Sequence, residues 1–279
     1  MKNLAITFLL LVGIISVSFA QISDQEKNAL IDLYNTTNGA EWNVTWDLDK
    51  EASTWQGITV VDNSVTEINL SMNNLDGTLP QSIGDFKSLQ HLNLGFNKIS
   101  GTIPVEICEN KALVTIRVFM NRLEGEIPSK IGELQNLKEI ILFNNLLTGN
   151  IPESLFDLNN LEVLQISSNR LTGTLSSNIE KLENLNILSL FDNSMYGDIP
   201  AQIGNLNKLK ELSLAYNLFE GEIPMELNKL TKLDTLLLNN NRFIGAINES
   251  IKKLPLLRNI EYHNNPIHIT GSISTVSQN

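Results

Sequence analysis

The chain has 279 residues, with 20 Lys and Arg against 31 Asp and Glu, a formal net charge of −11. An acidic chain is a poor partner for nucleic acid or an anionic membrane surface, since both repel it. The single cysteine, Cys108, excludes a disulfide framework, and with only three histidines there is no Cys/His spacing suited to a metal.

Residues 1 to 20, MKNLAITFLLLVGIISVSFA, place Lys2 ahead of an apolar core, with Ser18 and Ala20 just before Gln21. Such a run ending in small residues predicts a secretory signal peptide, so that the mature chain begins at Gln21. No cysteine follows it for lipid attachment, and no second apolar run reaches membrane length. An exported chain without membrane insertion is expected, either secreted or periplasmic. Loss of Lys2 leaves 19 basic against 31 acidic residues, a net charge of −12.

Residues 21 to 64 read as an N-terminal cap. Ser23 to Glu26 (SDQE) has the form of a capping box at a helix start. Ala29, Leu30, Leu33 and Tyr34 recur at helical spacing, and Asn38-Gly39 ends the run. Trp42, Trp46 and Trp55 are then available to cover an open core.

From Val65 a 24-residue unit repeats nine times, starting at Val65, Leu89, Leu113, Leu137, Leu161, Leu185, Leu209, Leu233 and Leu257. Its ninth position is always Asn, from Asn73 to Asn265. Its thirteenth is Gly from Gly77 to Gly245. Its sixteenth, through the eighth unit, is Pro except at Ser176 and Asn248. A unit this short cannot bury its own apolar face, so neighbours must stack into a solenoid. Ile68, Leu92 and their equivalents to Ile260, and Leu70, Leu94 and theirs to Tyr262, form two predicted interior columns. Side chains between them face outward, because alternation along a strand places neighbours on opposite faces. The Asn, with both a donor and an acceptor, is predicted to satisfy backbone groups where the chain turns from the strand. The Gly supplies a conformation that other residues resist, and the Pro fixes the return path without needing a donor.

Residues 265 to 279 are expected to form an irregular half-coil and tail. NPIHITGSI holds two extra residues before Gly271, and eight residues follow it, too few for a further domain. Cys108 stands where other units have Gly84, Gly132 and Gly204, beside Asn110 at a normally apolar position. That pair predicts a locally irregular coil.

The pattern LxGxIPxxIGxLxxLxxLxLxxNxL, over residues 65 to about 264, resembles the plant-specific subclass of leucine-rich repeats found in plant receptor ectodomains and polygalacturonase-inhibiting proteins. The resemblance implies an α/β repeat solenoid, a horseshoe with a parallel concave sheet, a short helical cap and an additional strand near LxGxIP. Paired cysteines that plant members carry at both ends are absent. WQGITV (Trp55 to Val60) is similar to their W-x-G-V-x-C entry motif without the thiol, and NALIDLYNTTNGAEWN is similar to the cap of exported bacterial members.

No nucleophile, base and acid set is visible, no phosphate loop occurs, and His91 and His263 fall at different strand positions. A non-enzymatic chain without a cofactor is therefore expected. The third, fifth, seventh and eighth positions should point to the concave face or its edge. They supply Phe96, Arg117, Phe119, Met120, Ile141, Phe143, Ile187, Phe191 and Tyr216 as a candidate ligand-binding set. Phe119, Phe143 and Phe191 occupy one position of units three, four and six, interrupted by Ser167. Aromatics with Arg suit the core of an interface, so a protein or peptide partner is expected. A polysaccharide or adhesion role is the alternative. A column flanking the Gly mixes Thr148, Thr172 and Thr174 with Glu124, Glu126, Glu220 and Glu222. Its Glu pairs could attract a cation or a basic partner, and its Thr members sugar or ice, although an ice-binding face should be flat and uncharged.

Overall fold

The structure, a computed structural model, describes residues 22–266. The predicted signal peptide, and the extra residues before Gly271, lie outside the described residues.

Each unit lays one short strand into a ten-stranded sheet. Ser64–Asn69, His91–Asn93, Thr115–Arg117, Glu139–Ile141 and Val163–Gln165 are followed by Ile187–Ser189, Glu211–Ser213, Thr235–Leu237 and Asn259–Glu261. All nine run parallel, with the first interior column in register from Ile68 through Leu92, Ile116 and Ile140 to Ile260. The N-terminal edge is paired by an antiparallel strand, Ile58–Val61. Asp62 and Asn63 join the two strands, both left-handed (φ 49° and 59°), as a two-residue hairpin turn requires.

The additional strand expected near LxGxIP from the resemblance is present. Asp76–Thr78, Lys98–Gly101, Arg122–Gly125 and Leu146–Leu147 form one small parallel sheet, and Tyr196–Asp198 with Leu218–Glu220 another. Between them only a single bridge, Asn150 to Thr172, continues the pairing. The return path is a short 3-10 turn after each Pro, as at Gln81–Asp85, Val105–Glu109 and Ala201–Asn205. Where Pro is missing, a capping side chain replaces it. Ser176 Oγ accepts from the N–H of Asn178 (3.2 Å), and Asn248 Oδ1 accepts from that of Ser250 (2.9 Å).

The asparagine ladder answers the donor and acceptor question unit by unit. Asn169 Nδ2 donates to the carbonyls of Leu142 (3.0 Å) and Ile166 (3.1 Å), while its Oδ1 accepts from the N–H of Leu147 (3.0 Å). Asn97, Asn121, Asn145, Asn193, Asn217, Asn241 and Asn265 repeat the arrangement. Asn73, at the start of the array, pairs instead with both backbone groups of Val44 in the cap (2.7 and 3.1 Å).

The cap helix spans Asp24–Thr36. Only half of the predicted capping box forms. Ser23 Oγ accepts from the N–H of Glu26 (3.2 Å), but the buried Glu26 carboxylate turns into the solenoid and accepts from the N–H of Val65 (3.0 Å). It therefore satisfies the first backbone donor of the repeat array. Trp42, Trp46 and Trp55 are buried over the core end, Trp46 stacked on Trp55 at 4.8 Å. Their indole N–H groups donate to the carbonyls of Thr37, Gln56 and Asp47.

Two expectations are corrected. The coil around Cys108 is regular: Val105–Glu109 makes the same 3-10 turn as its neighbours, with Cys108 and Asn110 both buried. Asn110 is held by its Nδ2, which donates to the carbonyl of Ile83 (2.8 Å) in the preceding unit, while its buried Oδ1 has no hydrogen-bond partner among the described residues. Burial pushes the Cys108 thiol up to about 11. At the other end, Ile260 and Tyr262 are only half-buried, because no further described unit covers them.

Candidate binding face

The outward face of the large sheet is built by two rules of the backbone. In a three-residue strand the third and fifth positions of each unit point away from the core. The chain then turns, and in all nine units the eighth residue adopts a left-handed conformation, with φ between 50° and 57°. Its N–H donates to a carbonyl of the next unit, as from Phe96 to Phe119 (3.0 Å) and from Met120 to Phe143 (2.8 Å). That conformation swings the eighth side chain out to the edge of the sheet.

A left-handed residue bearing a Cβ is strained, and Asn or Asp tolerates the strain best. Asn144, Asp192, Asn240 and Asn264 fill the position in four units. Met72, Phe96, Met120 and Tyr216 fill it in four others, the first three in consecutive units. They are among the most exposed large apolar residues of the protein, at 69%, 48%, 38% and 50%.

None of the nine predicted face residues lies in the core: Phe96, Met120 and Tyr216 are exposed, and Arg117, Phe119, Ile141, Phe143, Ile187 and Phe191 are half-buried. The rings do not stand free of one another. Phe119 packs edge-on against Phe96 (centroids 5.2 Å apart) and stacks on Phe143 (4.8 Å). Its ring leans over Gly95, where an added Cβ would sit 2.6 Å from it. Phe191 meets only Tyr216 (5.2 Å), so the rings form two groups, separated at Ser167 and Ser168. Ser167 is tied to Ser189, oxygen to oxygen at 2.7 Å.

Arg117 is not a free cation on this face. Both its Nε (3.0 Å) and Nη2 donate to Oε2 of Glu139 in the next strand. Lys138 and Glu162 make a second pair one strand further on (3.2 Å). With Glu67, His91 and Thr115 these groups line a polar depression of about 550 Å³ beside the aromatic groups. His91 Nδ1 lies 3.1 Å from Thr115 Oγ1.

Sequence reasoning missed Met72, the most exposed of these apolar side chains, and the cations Lys98 and Arg122 at the patch border. The signal for Met72 was its position, eighth in its unit like Phe96 and Met120. Among the described residues no cluster of His, Cys, Asp and Glu is arranged to hold a metal, and no helix is long and apolar enough to cross a membrane.

Comparison with known proteins agrees with this geometry. Residues 64–86, 88–110, 136–158, 160–182 and 208–230 match the Leucine Rich Repeat family. No curated protein matches the chain significantly. Among solved structures, it is similar to the ectodomain of the Arabidopsis thaliana receptor kinase GASSHO1/SCHENGEN3, solved with CASPARIAN STRIP INTEGRITY FACTOR 2. Identity is 32% and the TM-score 0.83, over 86% of this chain and 30% of that one. The Arabidopsis receptor kinase HAESA, solved with the peptide hormone IDA and the co-receptor SERK1, gives 28% identity and a TM-score of 0.79, over 88% of this chain and 42% of that one. The chain thus spans less than half of the length of these ectodomains. A plant ice-binding protein gives a TM-score of 0.67 over 88% of each chain, at 21% identity, a likeness of fold alone. Taken with the asparagine ladder and the parallel sheet, these likenesses establish the chain as a leucine-rich-repeat solenoid.

Proposed function

We propose that this chain is an exported, non-enzymatic binding module that recognises a protein or peptide through the face of its large sheet. Its repeats are of the plant-specific type, and its cap is most like that of bacterial members. What supports the reading is the choice of side chain at the eighth position. Met72, Phe96 and Met120 occupy a strained conformation that other units give to Asn or Asp, and they expose apolar surface to water there. A fold under selection for stability alone has no use for that combination, whereas exposed apolar patches mark interaction sites. Phe119 and Phe143, stacked beside them, supply rigid aromatic area of the kind that dominates interface energetics. The peptide hormone IDA belongs to HAESA, and it supports a peptide as the class of partner here.

The test is capture of partners from the secreted fraction of the source organism. The parent chain is compared with a Phe119→Ala, Phe143→Ala double variant. A partner retained by the parent and lost by the variant supports the reading. Partners that bind both equally place recognition elsewhere on the solenoid.

A further inference from the structure

The apolar patch has a charged border. Two residues beyond Phe96 stands Lys98, and two beyond Met120 stands Arg122, both exposed. Lys98 shares a depression of about 320 Å³ with Met72 and Phe96, so cation and apolar walls open on the same space. Among the described residues neither Lys98 nor Arg122 forms an ion pair, in contrast to Arg117 and Lys138 nearby. Asp76 is the strand neighbour of Lys98, and Glu124 lies two residues past Arg122, yet neither carboxylate reaches them. The same column carries Arg170 and Arg242, but these follow Ser168 and Asn240. Only units two and three join an exposed apolar eighth residue to a cation at the tenth.

We propose that the segment bound by units one to three is an acidic peptide, in which Asp or Glu side chains alternate with large apolar ones. The inference rests on the preceding reading that this patch binds a peptide. Carboxylates of such a segment meet the two unneutralised cations, and its apolar side chains cover Met72, Phe96 and Met120. The chain as a whole carries −11, so most of its surface repels an acidic ligand. Repulsion elsewhere then favours units one to three, where two unpaired cations border exposed apolar residues in three consecutive units, whereas Arg242 stands as a single cation beside exposed Leu218 and Ile244.

Three pools of ten-residue synthetic peptides test this, identical in Phe, Leu, Tyr and Met content. At the intervening positions they carry Asp/Glu, Asn/Gln or Lys/Arg. Fluorescence anisotropy should show the acidic pool binding the chain about tenfold more tightly than the neutral pool. A Lys98→Glu, Arg122→Glu variant should reverse the order and favour the basic pool, while Arg242→Glu should leave it unchanged. Equal binding of acidic and neutral pools, both lost in Phe119→Ala, Phe143→Ala, would overturn the charge preference and leave the binding face standing. Preference of the parent for the basic pool would overturn it too. Failure of every pool to bind would overturn this inference together with the reading beneath it. Self-association of the chain, abolished by Lys98→Glu, Arg122→Glu, would assign the patch to a second copy and overturn it as well.

Discussion

At the scale of single residues, Asn169 shows what the repeat asparagine does. It partners four part-buried backbone groups, three carbonyls and one N–H, and so links its own unit to the one before it. Asn169→Ala removes that partner and should lower stability by at least about 1–3 kcal/mol, read from chemical denaturation at constant m-value. A parent-like midpoint would remove the ladder from the account. Cys108 shows the opposite case, a reactive residue type made inert by its surroundings. Burial raises its pKa to about 11, so at pH 8 the thiol stays protonated and shielded. A thiol reagent should label it only in denaturant, and rapid labelling of the folded chain at pH 8 would contradict the burial. Both residues could be read from the sequence in different measure. Asn169 recurs in every unit and announces itself. Cys108 and Asn110 looked like a defect, because what accommodates them is a carbonyl of another unit, 27 residues away, at Ile83.

At the scale of elements, the unit is a three-residue strand, a left-handed turn, a glycine turn and a 3-10 return. The sixteenth residue fixes the return. Pro does so through its ring, and Ser176 through its hydroxyl, which accepts from Asn178 and reaches Glu153 Oε2 (3.0 Å). Ser176→Ala should cost about 1 kcal/mol as a lost cap. Ser176→Pro should restore most of it, because Ser176 already has φ −67° and six other units carry Pro at this position. A Pro variant less stable than the Ala variant would show that the backbone there differs from that of the other units. The period made the strands and returns legible. The hairpin at Asp62 and Asn63 was not, since it lies outside the repeat and only one of its strands belongs to the pattern. Nor was the lean of Phe119 along the array. It depends on the space left above Gly95, which a one-dimensional pattern does not contain.

At the scale of the whole molecule, a solenoid is as stable as its stacking and as vulnerable as its ends. The N-terminal end is closed three times over, by the tryptophan stack, by Glu26 on Val65 and by Val44 on Asn73. At the far end Ile260 and Tyr262 remain half-buried, with Lys252 set 5.5 Å over the Tyr262 ring. Amide exchange should therefore be fastest in Asn259–Glu261, the least buried strand of the sheet, and slower in strands such as Val163–Gln165 whose inward residue is fully buried. Uniform protection would mean that the array unfolds as one unit. The fold was open to sequence reasoning because nine copies of one pattern average out local ambiguity. The binding face was open only in part. Which residues point outward follows from the period, but which of them are strained, paired or free follows from the turn geometry and from neighbours 22 to 24 residues away.

The central claim is that Met72 and Met120 are held in a strained conformation for binding and not for folding. Met72→Asn combined with Met120→Asn tests it most directly, since Asn fills the same position in Asn144 and Asn240 with the same backbone. Melting temperature and affinity for the acidic peptide pool are measured on the same preparations. The account predicts a melting temperature unchanged or raised by a few degrees, given about 2–4 °C per kcal/mol for a chain of this size. It predicts at the same time that affinity falls about tenfold or more. A double variant that melts well below the parent, or that binds as tightly, would contradict it.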